Sequence, residues 1–273
     1  MPMNQRTARV CALAVVAIVG LGWSQRRVIR YAVAAMRSTA QFRVSATDAR
    51  VFYEPGAETL ARTVAEAMPR AVATVEREQF APFEIPVRVY VCASIASLVT
   101  YGADARAAGF TLNHRVFISP KPENTVERVP RILTHELSHV HLAQHRGRWE
   151  NLPVWFVEGL ATEVSGGGGA EGISASELRQ AFVDGRSFEP KASASWWARD
   201  GATANHLSEH LFYSEAGAFI AYLRVLDPSH FSGFIRAVES DQPLSIAFEH
   251  AYGMRLEPVW QQFIAQAKTN ERR

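Results

Sequence analysis

The sequence predicts an α+β protein: an N-terminal mixed β-sheet lobe with helices, followed by an all-helical lobe. Three observations carry this. Segments of strand character (Arg43–Tyr53, Ile85–Cys92, Phe110–Ser119) all fall in the first half of the 273-residue chain. Beyond Val126, apolar residues recur at helical spacing between turn signals. No internal repeat, heptad run or low-complexity tract points elsewhere. The expected divisions are residues 1–40 as a leading segment, 41–125 as the α/β lobe and 126–273 as the helical lobe.

The elements follow in order. Arg43–Tyr53 reads as one strand of mixed polar and apolar residues, closed by Glu54-Pro55-Gly56. Glu58–Gln79 places Leu60, Val64, Ala67, Ala71 and Val75 at helical spacing, and Pro69 inside it predicts a kink or a break. Ile85–Cys92 is strongly β in character, and a short helix follows around Ile95–Tyr101. Phe110–Leu112 and Arg115–Ser119 form a hairpin across Asn113-His114, because Asn tolerates positive φ. Val126–Gln144 is a helix with Pro130 early, where a missing N–H is tolerated. Pro153 opens the next helix, which runs to about Val164 and stops at the glycine run Gly166–Gly169. That run supplies a flexible loop rather than a phosphate cradle, since no Gly-Lys-Ser/Thr follows it. Further helices fit Ala175–Asp184, Glu209–Leu226, Phe231–Glu239, Leu244–Tyr252 and Leu256–Lys268.

Composition is that of a globular protein, 48% hydrophobic and 21% charged, long enough for one domain of two lobes. The net charge is +2, yet the first forty residues hold six arginines and no acid. Removing those six charges leaves −4 on residues 41–273, so the body has no basic stripe for nucleic acid. Cys11 and Cys92 match neither a metal cluster nor a disulfide framework.

Val10–Trp23 is a run of fourteen residues without a charge, preceded by Arg6 and Arg9 and followed by Arg26, Arg27 and Arg30. It is short for a bilayer span of about twenty residues but fits a short anchor or a signal h-region. The expectation is attachment to a membrane by this single segment, with the body extracytoplasmic. A cleaved signal releasing a secreted body, and a plain amphipathic helix, are the alternatives. Arginines on both flanks leave the orientation open.

The chemistry lies in His135-Glu136-Leu137-Ser138-His139, with Glu158 in the following helix. Residues four apart on a helix lie about 40° apart around the axis, so both imidazoles reach one ion. Glu136, about 60° beyond His139, points beside that ion, which separates a metal-holding pair from a base. Zinc at hydrolytic sites takes three protein ligands and keeps one position for water, here with His135, His139 and Glu158 as ligands. Glu136 is then the base that takes the water's proton and passes it to the leaving amine. Tyr213, at the start of the Glu209–Leu226 helix, is the candidate oxyanion donor, against the alternative of core packing with its hydroxyl at the edge.

The remaining histidines are weaker candidates. His141 lies about 240° from His135 and His145 about 80° off, which makes both surface or packing residues. His114, His206 and His210 are read as solvated before functional. Trp196-Trp197 reads as a packing anchor rather than a subsite wall.

These motifs resemble a gluzincin of the peptidase MA-like group. The carrying residues are Thr134–His139 and Pro153–Ala161, with eighteen residues between His139 and Glu158 as in aminopeptidase-N-like enzymes. Weaker matches lie at Tyr213–Leu223 and Ala247–Trp260. The resemblance implies a single zinc ion, a peptide or protein substrate, the roles given above and a mixed sheet whose edge strand flanks the cleft, with Arg115–Ser119 as that edge. Such an edge binds an extended peptide by strand addition. Two departures stand out. Where the aminopeptidases carry Gly-x-Met-Glu-Asn, this chain reads Gly109-Phe110-Thr111-Leu112-Asn113, without the amine-holding acid, so a non-aminopeptidase activity is expected. The helix positions behind Glu158 that would back the histidines are Thr162 and Ser165, not acids. The rival reading is a membrane-attached binding or scaffolding module with a structural or vestigial zinc site. A third is a latent enzyme covered by its own N-terminal segment.

Overall fold

The computed structural model describes residues 31–121, 124–147, 151–193 and 201–269. A five-stranded mixed sheet is followed by a succession of helices. The strands are β1 (Arg43–Val44), β2 (Val51–Tyr53), β3 (Arg88–Val91), β4 (Gly109–Leu112) and β5 (Arg115–Ile118), in spatial order β1-β2-β3-β5-β4. β2, β3 and β5 run parallel, while β1 and β4 pair antiparallel at the two edges. α1 (Glu58–Glu78) crosses from β2 to β3, and α2 (Ile95–Thr100) follows β3. The later helices are α3 (Val129–His145), α4 (Val154–Val164), α5 (Ala175–Val183), α6 (Glu209–Leu226), α7 (Pro228–Glu239), α8 (Leu244–Tyr252) and α9 (Leu256–Thr269).

Alternation along the strands divides the sheet into two faces. Val89, Val91, Val116 and Ile118 join the large core shared with α1, α3, α4 and α6. Tyr90, Cys92 and Phe117 turn the other way, into a small cluster with Phe42, Leu98 and Tyr101. The motif helix α3 is held between α1, α4 and the sheet, with β4 alongside it. α4 and α6 approach closely enough that a Cβ on Gly159 would sit 2.7 Å from the Ala216 carbonyl oxygen. Small residues at this crossing bring the start of α6 over the site.

Several expectations are corrected. Arg43–Tyr53 is two short strands, because the Asp48 carboxylate accepts the Arg50 N–H (2.9 Å) and turns the chain between them. Of the kink or break expected at Pro69, a break does not occur, since α1 continues through it. Buried Val64, Ala65, Met68, Ala71 and Val75 on both sides hold it to the core against a proline cost of about 3 kcal/mol. α7 starts three residues before the expected Phe231, because Asp227 caps it and Pro228 occupies its first position. The cleft-side edge strand is β4, since β5 is enclosed between β3 and β4. The Asn113-His114 turn has the expected form, both residues with positive φ (48° and 61°).

The apolar run Val10–Trp23 and Trp196-Trp197 lie outside the described residues. Among the described residues, no helix is long and apolar enough to cross a membrane.

Candidate metal centre and its surroundings

α3 carries His135 and His139 one turn apart, and α4 brings Glu158 to face them. Nε2 of His135 lies 3.1 Å from Nε2 of His139. Glu158 Oε2 lies 3.3 Å and 3.6 Å from the same two nitrogens. Donor atoms about 2.0–2.2 Å from a tetrahedral zinc stand roughly 3.3–3.6 Å from one another, so this triangle fits that ion. The donor set, two imidazoles and a carboxylate, suits zinc as well. A helix alone sets the angle between the histidines, and Pro153 starts α4 so that Glu158 falls in its second turn.

The electrostatics agree with a cation site. Burial pushes Glu158 up, yet the charges and hydrogen bonds of the facing imidazoles outweigh it and hold the carboxyl far below its usual range. Burial pulls His139 down, and the Glu158 and Glu136 carboxylates more than offset this, so the ring is held above its ordinary value.

What backs His135 is a backbone group. Its Nδ1–H donates to the Gly168 carbonyl at 2.9 Å, a bond that in a neutral imidazole leaves the lone pair on Nε2, the nitrogen on the Glu158 side. The loop that presents this carbonyl is itself tied down. Ser165 Oγ accepts the Gly168 N–H at 2.9 Å and donates to the Thr162 carbonyl at 3.1 Å. His210 Nδ1–H donates to the Gly169 carbonyl at 3.0 Å. The loop after α4 therefore walls the site through Gly168 and Gly169, both of which are held by hydrogen bonds.

Tyr213, in the first turns of α6, stacks on His135 with ring centroids 6.0 Å apart and planes 19° from parallel. Its phenol is pushed well above its usual value, first by the Glu158 charge and then by burial, so the hydroxyl stays protonated beside the ligand group. Gly169 has φ +85° and no space for a Cβ, which would meet the Tyr213 ring at 2.7 Å. Glu136 is buried on the sheet side of α3. Thr111 Oγ1 donates to its Oε2 at 2.7 Å, a contact from β4 that the sequence pattern does not signal.

Other histidines are used structurally. His141 is fully buried against the Ala81 carbonyl (2.8 Å) and Glu239 (3.1 Å), and His145 contacts the Pro82 carbonyl and Glu84. His206 has positive φ and ends a 3-10 turn. His114 lies at the β4–β5 turn, beside a shallow cavity of about 370 Å³ lined by Arg88 and Arg115.

A solved structure of native yeast LTA4 hydrolase superposes on 85% of this chain with a TM-score of 0.51 at 12% sequence identity. The match covers 40% of that larger chain, so the similarity is to part of it and is one of fold. No family model and no curated protein sequence matches the chain.

Proposed function

We propose that this chain is a zinc-dependent metallopeptidase that is not an aminopeptidase. The observation that carries the reading is the His135–His139–Glu158 triangle, 3.1–3.6 Å on its sides, with a buried carboxylate at Glu136 beside it that is not part of it. A purely structural site needs ligands and is closed by a fourth; among the described residues the group has three. The similarity in fold to a protein named a hydrolase supports the same class.

His135, His139 and Glu158 hold the ion. When bound there, zinc supplies a water activated near neutral pH and a Lewis acid for a carbonyl. Glu136 takes a proton from the attacking water and delivers it to the leaving amine. The Tyr213 hydroxyl, kept protonated by its surroundings, donates to the oxyanion that develops on the scissile carbonyl.

The substrate is an extended peptide laid along β4. Ser119 N–H donates to the Ala108 carbonyl, so the two-residue period of the ladder gives the bonds to β5 to Phe110 and Leu112. The amide groups of Gly109 and Thr111 therefore face the open edge, where a strand can add beside Glu136. No acid occurs in Gly109–Leu112 to hold a free amino terminus, which favours internal cleavage.

The test is Glu136→Gln with metal analysis. The variant is expected to retain one zinc per chain and to lose cleavage of unfolded proteins. Cleavage at the wild-type rate would remove Glu136 as the base, and a protein without zinc would remove the reading itself. Robust release of single N-terminal residues from short peptides would overturn the exclusion of aminopeptidase action.

A further inference from the structure

We infer that Thr111 is a positioning residue for Glu136, holding the base in its working rotamer from the edge strand. This rests on the metallopeptidase reading of the site and goes beyond it, since it assigns a device built by β4 rather than by the zinc motif.

The geometry is specific. Gly109 and Thr111 are two apart on β4, so both face α3. Thr111 Oγ1 lies 2.7 Å from Glu136 Oε2 and 3.1 Å from the Glu136 carbonyl oxygen. The hydroxyl has a single proton, and the charged carboxylate at the shorter distance is the stronger acceptor. Threonine is β-branched and stiff at χ1, so the strand fixes where that hydroxyl points. Gly109 closes the other side: a Cβ there would stand 2.7 Å from Glu136 Cγ and 2.8 Å from Oε1. Glutamate has three side-chain torsions, and here one oxygen is bonded while the methylene stem lies against bare backbone. Oε1 accepts no hydrogen bond among the described residues and is the oxygen left to carry a proton.

The arrangement also ties substrate docking to the base. The backbone groups facing the open edge belong to the two residues that fix Glu136. A peptide pairing there lies against the clamp itself.

The experiment uses the full chain with Thr111→Val, Thr111→Ser, Gly109→Ala and Glu136→Met. Cleavage of dye-quenched casein establishes activity, and one quenched peptide taken from a cleaved site gives kcat and KM. Thr111→Val is expected to keep its zinc and its KM and to lose roughly tenfold or more in kcat. Thr111→Ser is expected to recover to within about threefold of wild type, because it restores the hydroxyl. Gly109→Ala should lower kcat by a similar factor through steric displacement of the carboxylate. A second readout needs no activity. In urea unfolding of metal-free protein, Thr111→Val and Glu136→Met should be non-additive, since methionine fills a similar volume and offers no oxygen to the Thr111 hydroxyl.

Unchanged kcat in Thr111→Val, or a loss that serine does not rescue, overturns the proposal while leaving the peptidase reading in place. Additive effects on stability overturn the contact itself. A zinc-loaded wild type inert towards casein overturns the peptidase reading, and the positioning role with it, whatever the unfolding cycle reports.

Discussion

The ring of Tyr213 lies nearly parallel to that of His135, 19° apart with centroids 6.0 Å distant, so a phenol on α6 is fixed against an imidazole of the candidate metal centre on α3. Phenylalanine keeps that stacking and removes only the hydroxyl. Tyr213→Phe is therefore expected to bind zinc and substrate as wild type does, while kcat falls roughly 10²- to 10³-fold, the range for a lost oxyanion donor. Steady-state kinetics with zinc analysis on the same sample is the check. A kcat within twofold or so of wild type would return Tyr213 to core packing.

The second prediction concerns the loop behind His135. Ser165 holds Gly168 in place, and Gly168 holds the imidazole. Ser165→Ala should weaken zinc binding by roughly tenfold or more, the usual effect of losing a group that orients a ligand. Competition with a chelator measures the affinity, and thermal unfolding of metal-free protein controls for general damage. Full zinc affinity in the variant would mean that the carbonyl does not orient His135.

This loop is the part of the site that the sequence does not announce. The His135–His139–Glu158 cluster was legible because helical periodicity fixes the angle between His135 and His139, and Pro153 announces the helix that carries Glu158. The Asn113-His114 turn was legible because its chemistry is local. The Gly168 carbonyl was not, since a backbone oxygen has no residue identity. Thr162 and Ser165 are not acids, yet Ser165 does the holding through its hydroxyl. Thr111 was hidden differently. Which strand lies at the edge depends on pairing between distant segments, so the hairpin is legible in the sequence but not which of its arms lies at the cleft. The continuity of α1 through Pro69 likewise depends on burial that no local signal shows.

The α4–α6 crossing gives a third prediction. A Cβ at Gly159 would meet the Ala216 backbone at 2.7 Å, and neither partner is the free end of a flexible side chain. Gly159→Ala should therefore force the helices apart, destabilising the protein by roughly 1–3 kcal/mol. Glu158 precedes this residue and Tyr213 lies on the displaced helix, so zinc affinity should fall as well. Urea unfolding and chelator competition read the two effects, and a variant as stable as wild type would contradict the close approach.

Zinc removal and protons are linked. His139 is held above its ordinary value of 6.5 by Glu158 and Glu136, so the metal-free ring retains a proton at higher pH than a free histidine. That favourable pairing is fully present below pH 6.5 and is lost as pH rises through the folded value. Zinc requires the neutral ring, so binding near neutral pH should release a proton, and affinity should rise with pH across this window. Calorimetry in two buffers of different ionisation enthalpy counts the protons released. Chelation should lower Tm, and added zinc should restore it in proportion to the logarithm of its concentration. Zinc binding with no proton released, or a Tm indifferent to chelator, would contradict the site.

Glu215 gives a pH dependence separate from the metal. It is wholly buried in α6, where Oε2 accepts the Phe188 N–H at 3.1 Å and Oε1 has no partner among the described residues. Burial pushes its carboxyl up to about 8, against an ordinary value of 4.5. The folded value lies above the unfolded one, so the contribution to stability is complete below pH 4.5 and declines as pH rises towards 8. The slope from this residue approaches about 1.4 kcal/mol per pH unit within the window and vanishes above it. Glu215→Gln keeps an acceptor for Phe188 and nearly the same volume but does not titrate. Its unfolding free energy, measured in urea from pH 5 to pH 9, should fall less steeply than that of wild type. The two proteins should diverge most between pH 5 and pH 8, with the variant the more stable at the alkaline end. Parallel curves would mean that Glu215 is ionised in the fold and that a partner neutralises it there.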